Sequence, residues 1–120
     1  MDKVKLLLRA EGAAPAGVLG YFVWTSGVGW MWVVGVLIAP DLSLAGYYFG
    51  AKRGAFIYNC AHTYVGPALA AGAGFALGNS LLVSIATIWA LHIGIDRFAG
   101  FGLKYPTSFS DTHLGRLGGK

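Results

Sequence analysis

Three ionisable side chains stand close together after a long apolar run in the second half of the chain. The run extends from residue 80 to residue 91, and His92, Asp96 and Arg97 follow it directly. In a helix, His92 and Asp96 lie on one face, about one turn apart. Because ionisable groups are costly inside a bilayer, such a cluster indicates either a functional site or a paired structural one.

Further polar groups interrupt the earlier apolar runs. Asp41 follows Pro40, which removes a backbone donor and frees the carbonyl of Val36. Since broken helix at membrane depth must face protein or a wet cavity, we expect Asp41 to point inward. Imidazole and carboxylate groups together suit zinc, iron or manganese, without choosing among them. The first hypothesis is a divalent metal site formed by Asp41, His62, His92, Asp96 and, if the C-terminal tail folds back, His113.

Two kinds of function fit a metal site of this composition. An ion with an open coordination position would activate water, which predicts a metal-dependent membrane hydrolase acting on a lipid-borne ester, amide or phosphate. The alternative is a protein that binds the ion without catalysing a reaction. The ligand types alone do not distinguish a hydrolase from a non-catalytic metal-binding protein.

The same residues also permit a structural network without a metal. Asp96 or Asp41 would pair with Arg97, and His62 would bond its own helix, because intramembrane charges commonly pair in this way. The protein would then be a non-catalytic accessory subunit of a larger membrane complex, or part of a homo-oligomer. A third hypothesis is proton or ion passage. The residues assigned to the network are Tyr58, Asn59, Arg97 and Lys104.

Composition predicts an integral membrane protein. Only 12% of the 120 residues are charged, 56% are hydrophobic and the mean hydropathy is +0.61, whereas soluble domains carry about 25% charged residues. The nine basic residues form no patch, which argues against nucleic-acid binding. Cys60 is the only cysteine, so no intrachain disulfide is possible. The apolar run at the N-terminus is too short for a signal peptide, so we expect this segment to be retained.

The apolar runs predict an all-α, polytopic bundle of four transmembrane helices. The spans are about 5–24, 28–49, 53–77 and 80–100, with turns near 25–27 and 78–80. A three-span arrangement, with one helix over 13–39, would put Lys52 and Arg53 across the membrane from Lys3 and Lys5. Four spans place all of them on one side, which the preference of basic residues for the cytoplasm favours. Both termini are therefore expected to be cytoplasmic, in a bacterial inner (plasma) membrane.

These spans divide the chain into a transmembrane domain, 1–105, and a cytoplasmic tail, 106–120. They also put the polar groups of spans two, three and four in the cytoplasmic half of the bilayer. Small residues at intervals of four in span three, Ala70, Gly74 and Gly78, predict close helix packing.

Several motifs follow one another along the chain: APDLS at 39–43, GA, YN and His62 within 54–62, DR at 96–97, GFGLKY at 100–105 and THLG at 112–115. Together they resemble domain of unknown function family 4260, small bacterial integral-membrane proteins with no assigned activity. The resemblance covers nearly the whole chain and implies a membrane location. A looser similarity to membrane-associated metal-dependent hydrolases implies hydrolysis, although the fuller histidine motifs of those proteins are missing here.

Overall fold

The computed structural model describes residues 2–117, of which most are helical. The prediction of an all-α fold is confirmed. The helices are α1 (Lys3–Ser26), α2 (Trp30–Ile38), a 3-10 segment (Ala39–Phe49), α3 (Ala51–His62), α4 (Val65–Leu77) and α5 (Ser80–Ala99), and two short strands follow, β1 (Asp111–Thr112) and β2 (Gly115–Arg116).

Helix α5 is the centre of the molecule. Helices α1, α2 and α4 all pack against it, while α3 packs against the 3-10 segment. Ala86, Ile88 and Ile93 of α5 are almost completely buried. Because α5 contacts three other helices, residues on its different faces can meet side chains from several elements.

The two predicted tight turns are present. Helix α1 ends at Ser26, and Gly27 follows in the left-handed conformation with φ 73°, which glycine adopts without strain. Helix α4 ends before Gly78, which has φ 65°. The side chain of Asn79 then caps α5 by accepting the backbone N–H of Leu82 at 3.1 Å.

The predicted span 53–77 is two helices rather than one. The break falls at Thr63, which is extended with φ −107° and ψ 151°. Pro67 explains it, because proline has no N–H to donate to the carbonyl four residues earlier and its ring crowds that position. The carbonyl of Ala61 accepts the indole N–H of Trp89 at 2.7 Å. α5 therefore satisfies part of the backbone that the break exposes.

The predicted second span also changes character, at Pro40. Helix α2 ends at Ile38 and the chain continues to Phe49 as a 3-10 segment. Eleven residues is long for a 3-10 segment, which usually runs for three or four. Such a stretch often marks a functional site, and this one carries Asp41.

Glycines allow the closest helix contacts. A Cβ atom on Gly12 of α1 would lie 2.7 Å from the carbonyl oxygen of Gly94 in α5. A Cβ on Gly46 of the 3-10 segment would lie 2.9 Å from Ile57 Cδ1 in α3. Of the predicted small-residue stripe, Gly74 packs against Val83 of α5, with 2.7 Å from its hypothetical Cβ to Val83 Cγ2.

Among residues 2–117, two segments are long and apolar enough to cross a membrane, Trp30–Phe49 and Ser80–Ala99. They differ in burial. The most apolar part of Ser80–Ala99 is 44% buried, as expected of the central helix, whereas that of Trp30–Phe49 is only 11% buried. An apolar segment that packs so little of its surface against its own chain presents that surface to its surroundings.

The crossing of α1 and α5 gives a first prediction. Gly12→Ala puts a methyl group against the backbone of α5, which cannot move aside, and should destabilise the protein by about 1–3 kcal/mol. Gly17→Ala is the matched control, because nothing lies within 4 Å of its hypothetical Cβ. It should be neutral or stabilise by up to about 1 kcal/mol, the gain of alanine over glycine in a helix. Thermal melting in detergent distinguishes the two, and equal melting temperatures would refute this account of the crossing.

Candidate metal centre

Four side chains from three elements converge beside α5. Asp41 comes from the 3-10 segment, His62 from the last position of α3, and His92 and Asp96 from successive turns of α5. One ligand atom from each lies within 4.8 Å of all the others. These four residues form a group that can hold a metal ion.

The two histidines face each other and both carboxylates. His62 Nε2 lies 3.2 Å from Asp41 Oδ1 and 3.5 Å from Asp96 Oδ2. His92 Nε2 lies 3.4 Å from Asp41 Oδ1 and 3.2 Å from Asp96 Oδ2. The two Nε2 atoms are 3.2 Å apart. Two imidazole nitrogens and two carboxylate oxygens, all of which can donate a lone pair to a metal ion, therefore surround a single point.

The other ring nitrogens fix the orientation of both imidazoles. His62 Nδ1 is 2.9 Å from the carbonyl oxygen of Tyr58, and His92 Nδ1 is 2.5 Å from that of Leu37. Because a carbonyl oxygen only accepts, each Nδ1 carries the hydrogen and donates it. In the neutral ring Nε2 is then an unprotonated acceptor. Histidines that bind metals are held in this way by a second partner on the opposite nitrogen.

The Leu37 carbonyl is free because of the change of helix type at Pro40. Helical hydrogen bonding switches from i→i+4 to i→i+3 after Ile38, which leaves carbonyls of the last turn of α2 without helical partners. The sequence predicts the free carbonyl at Val36. The carbonyl that accepts from His92 is instead that of the next residue, Leu37.

The histidines are buried and the carboxylates are open. His62 is fully buried and stacks on the Tyr58 ring, with 3.8 Å between the ring centroids, while His92 is 7% exposed. The Asp41 side chain is 53% exposed and that of Asp96 is 19% exposed. The group is thus closed on its imidazole side and accessible on its carboxylate side.

A cavity of about 260 Å³ lies on the carboxylate side. It joins the two aspartates to the C-terminal tail, which contains the β1–β2 hairpin and folds back to the site, an outcome that the sequence left open. The residues that line it are Asp41, Leu44, Tyr58, Asp96, Phe101, Lys104, Phe109 and Leu117.

Asn59 attaches the tail to α3. Its Nδ2 donates to the Lys104 carbonyl at 2.8 Å, and its Oδ1 accepts the Lys104 N–H at 2.7 Å. The Lys104 side chain is 5% exposed and its ammonium lies 3.8 Å from the Phe109 ring centroid and 5.0 Å from that of Tyr58. Burial lowers the pKa of Lys104, and the Asp96 carboxylate raises it. The predicted network residues Tyr58, Asn59 and Lys104 are thus all at the site.

Arg97 has a different role from the one predicted. It donates to the carbonyl of His62 at 2.6 Å and to that of Phe101 at 3.1 Å. Within residues 2–117 it forms no ion pair with Asp41 or Asp96, so the predicted pairing is wrong. Its guanidinium instead binds the carbonyl at the C-terminal end of α3, which is that of His62.

His113 lies outside the four-residue group. Its Nδ1 accepts the Leu103 N–H at 2.8 Å. It lines a small cavity of about 100 Å³ that also contains Glu11 and Arg97. Burial lowers the pKa of His113, and the Arg97 guanidinium lowers it further. His113 therefore helps to dock the tail rather than joining the predicted metal ligands.

Sequence reasoning missed the aromatic walls of the cavity and the role of Trp89. Phe101 and Phe109 follow the last span, where nothing in their spacing indicates a shared cavity. The role of Trp89 could have been anticipated, because Pro67 indicates a helix break and the carbonyls at a break need hydrogen-bond donors.

Comparison with known proteins identifies the family but gives no activity. A family described as Domain of unknown function (DUF4260) matches residues 5–117, nearly the whole chain. No curated protein and no solved structure matches.

The attachment of the tail gives a second prediction. Asn59→Ala removes both hydrogen bonds to the Lys104 backbone, each worth about 0.5–1.5 kcal/mol. Amide exchange across residues 104–112, followed by mass spectrometry, should accelerate by about tenfold or more. Asn59→Asp keeps an acceptor for the Lys104 N–H, so its exchange rate should lie between those of wild type and Asn59→Ala. Unchanged exchange in Asn59→Ala would show that other contacts hold the tail.

Proposed function

The chain belongs to the family DUF4260, and we propose that it is an integral membrane protein that binds one divalent metal ion and uses it for hydrolysis. The ligands are Asp41, His62, His92 and Asp96. The observation that carries the proposal is the pair of inward-facing Nε2 atoms whose opposite nitrogens both donate to backbone carbonyls. Two lone pairs and two carboxylates around one point repel one another unless a cation lies between them.

The spacing of the ligand atoms supports an ion the size of zinc. Five of the six distances among them are 3.2–3.5 Å. A regular tetrahedron with edges of that length has its centre about 2.0–2.1 Å from each corner, which is the length of Zn–N and Zn–O bonds in proteins. The sixth distance, between the two carboxylate oxygens, is within 4.8 Å, so the carboxylates would close on the ion to complete that geometry. Iron and manganese accept the same ligand types and remain alternatives.

Four crossings of the inner membrane are part of the proposal: α1, α2 with the 3-10 segment, α3 with α4, and α5. The low burial of Trp30–Phe49 supports lipid contact. Exposed apolar side chains on α1, such as Leu7, Val18 and Phe22, support the same conclusion. The basic residues of both termini and of Lys52 and Arg53 favour a cytoplasmic position for the termini and for the cavity.

Hydrolysis is the reaction class that the cavity supports. The chemistry that a divalent cation supplies when bound is Lewis-acid activation of an ester, amide or phosphoryl group, or of water. His62 and His92 would hold the ion, with Tyr58 and Leu37 orienting the rings. Asp41 is half-exposed to the cavity, and in the described residues only its Oδ1 contacts the histidines. Its other oxygen is placed to accept a proton from water.

The metal-free network remains the main competing hypothesis, with an accessory subunit or a homo-oligomer as the corresponding partners. It requires one imidazole to be doubly protonated so that an Nε2–H can donate to a carboxylate. It accounts for the carboxylate contacts. It also allows the protonated ring to donate to the Nε2 of the other ring, 3.2 Å away. The two hypotheses therefore differ in whether a proton or a metal ion lies between the imidazoles.

Metal content is the decisive measurement. Full-length protein purified without a histidine tag should hold about one ion per chain. His92→Ala should lose most of it, because three ligands bind far less tightly than four. His113→Ala is the control, an exposed histidine outside the group, and should keep the ion. Removing the ion with a chelator should lower the melting temperature of wild type but not of His92→Ala. A folded wild-type protein without metal would refute the proposal.

Hydrolysis is tested separately with p-nitrophenyl hexanoate and p-nitrophenyl phosphate. We expect turnover of at least one substrate to require the metal and to fall by about 100-fold or more in Asp41→Asn, which removes both a ligand oxygen and the proposed general base. Asp111→Asn, in the tail hairpin, should keep the wild-type rate. Metal-loaded protein that hydrolyses neither substrate above the Asp41→Asn rate would leave a metal-binding protein without this reaction.

A further inference from the structure

Lys104 is a buried cation without an anionic partner. The residue is only 5% exposed, yet in the described part of the chain no carboxylate oxygen lies within 4.0 Å of its ammonium. The ammonium lies over the rings of Phe109 and Tyr58. Lysine is almost never this buried unless it is paired. The ammonium is therefore placed for a partner that is not part of the protein.

The backbone of Lys104 is held firmly. The two hydrogen bonds from Asn59 fix its peptide groups, and a β-bridge joins it to Thr112. The lysine thus occupies a defined position on the cavity wall. It does not sweep through solvent as a surface lysine does.

The charges around the cavity favour an anion. Asp41 and Asp96 contribute two negative charges, which a divalent ion would neutralise. Lys104 then leaves the cavity with one net positive charge. Without the ion the net charge would be negative, and the ammonium would be expected to pair with the carboxylates rather than lie over aromatic rings.

We propose that the cavity binds the phosphate group of an amphiphilic phosphate ester, between the Lys104 ammonium and the metal centre. The inference rests on the proposed function and names its substrate class. Lysine is a common phosphate ligand, acting as a point charge. A cavity of about 260 Å³ is smaller than the roughly 300–1,000 Å³ of sites that enclose a whole ligand. It has room for a head group and not for the chains attached to it.

The rim of the cavity is apolar and suits those chains. Phe101 and Phe109 are each 46% exposed, and Leu44 is 36% exposed. Phe101 directly follows the last predicted span, and Leu44 lies near the cytoplasmic end of the second, so acyl chains could remain in the bilayer while the phosphate reaches Lys104. Free phosphate would gain nothing from this rim.

Binding of three probes to metal-loaded, full-length wild type in detergent tests the proposal. Dihexanoyl phosphatidic acid should bind about tenfold or more tightly than dihexanoylglycerol, which has the same chains and no phosphate. It should also bind more tightly than inorganic phosphate. Calorimetric titration measures all three, and this comparison needs no variant. Equal binding of the two lipids overturns the phosphate site. Inorganic phosphate binding as tightly as the lipid overturns the amphiphilic substrate.

A pair of lysine variants locates the site. Lys104→Met keeps an apolar stem between the rings and should weaken phosphatidic acid binding by about tenfold or more, with unchanged metal content. Lys104→Arg should recover part of the affinity. Lys52→Met, which changes an exposed lysine, should bind like wild type. Wild-type affinity in Lys104→Met overturns the role of Lys104. Full metal with no phosphate preference refutes this inference alone, whereas wild type without metal refutes the proposed function as well.

Discussion

The structure depends on the close contact of two imidazole rings, those of His62 and His92, at the centre of the helix bundle. His62 and His92 direct their Nε2 atoms at each other across 3.2 Å, and both rings are held there by backbone carbonyls on their far sides. Burying two such acceptors next to two carboxylates is unfavourable without a positive charge among them. The rest of the fold can be understood as the means of supplying the carbonyls and bringing the four side chains together.

Two breaks in regular helix position the histidines and supply their backbone partners. Pro40 ends regular α-helix just after Leu37, which makes one carbonyl available to His92. Pro67 ends α3 at His62, which places that histidine at a helix terminus where Arg97 can bind its carbonyl. Both breaks are internal to apolar segments and both are in contact with α5. If both segments cross the membrane, as proposed, their non-helical backbone is tolerated only where protein surrounds it, which would explain why the two breaks lie at the site.

The all-α character and the two tight turns could be predicted from the sequence, because each depends on local pattern. The convergence of Asp41, His62, His92 and Asp96 was predicted from their depth in the assumed spans. Apolar run length, Gly27, Gly78 and the i, i+4 spacing of His92 and Asp96 carry that information. The break at Thr63 was not predicted, although Pro67 was visible, because an apolar run containing one proline fits a kinked span as well as two helices. The partners of Arg97 and His113 were also missed. They depend on which carbonyls and amides the breaks and the tail leave free, and this is a property of the folded chain.

The C-terminal tail covers the carboxylate side of the four-residue group. A centre built only from the four ligands would face solvent on its carboxylate side, where Asp41 is half-exposed. The tail instead returns over that side, is fastened by Asn59, and brings one lysine and two aromatic rings to the same cavity. A purely structural ion pair network would be expected to direct that lysine onto the aspartates, since ammonium and carboxylate attract each other strongly when partly buried. Lys104 lies over Phe109 and Tyr58 instead, which is the arrangement expected if the carboxylates are already neutralised by a cation.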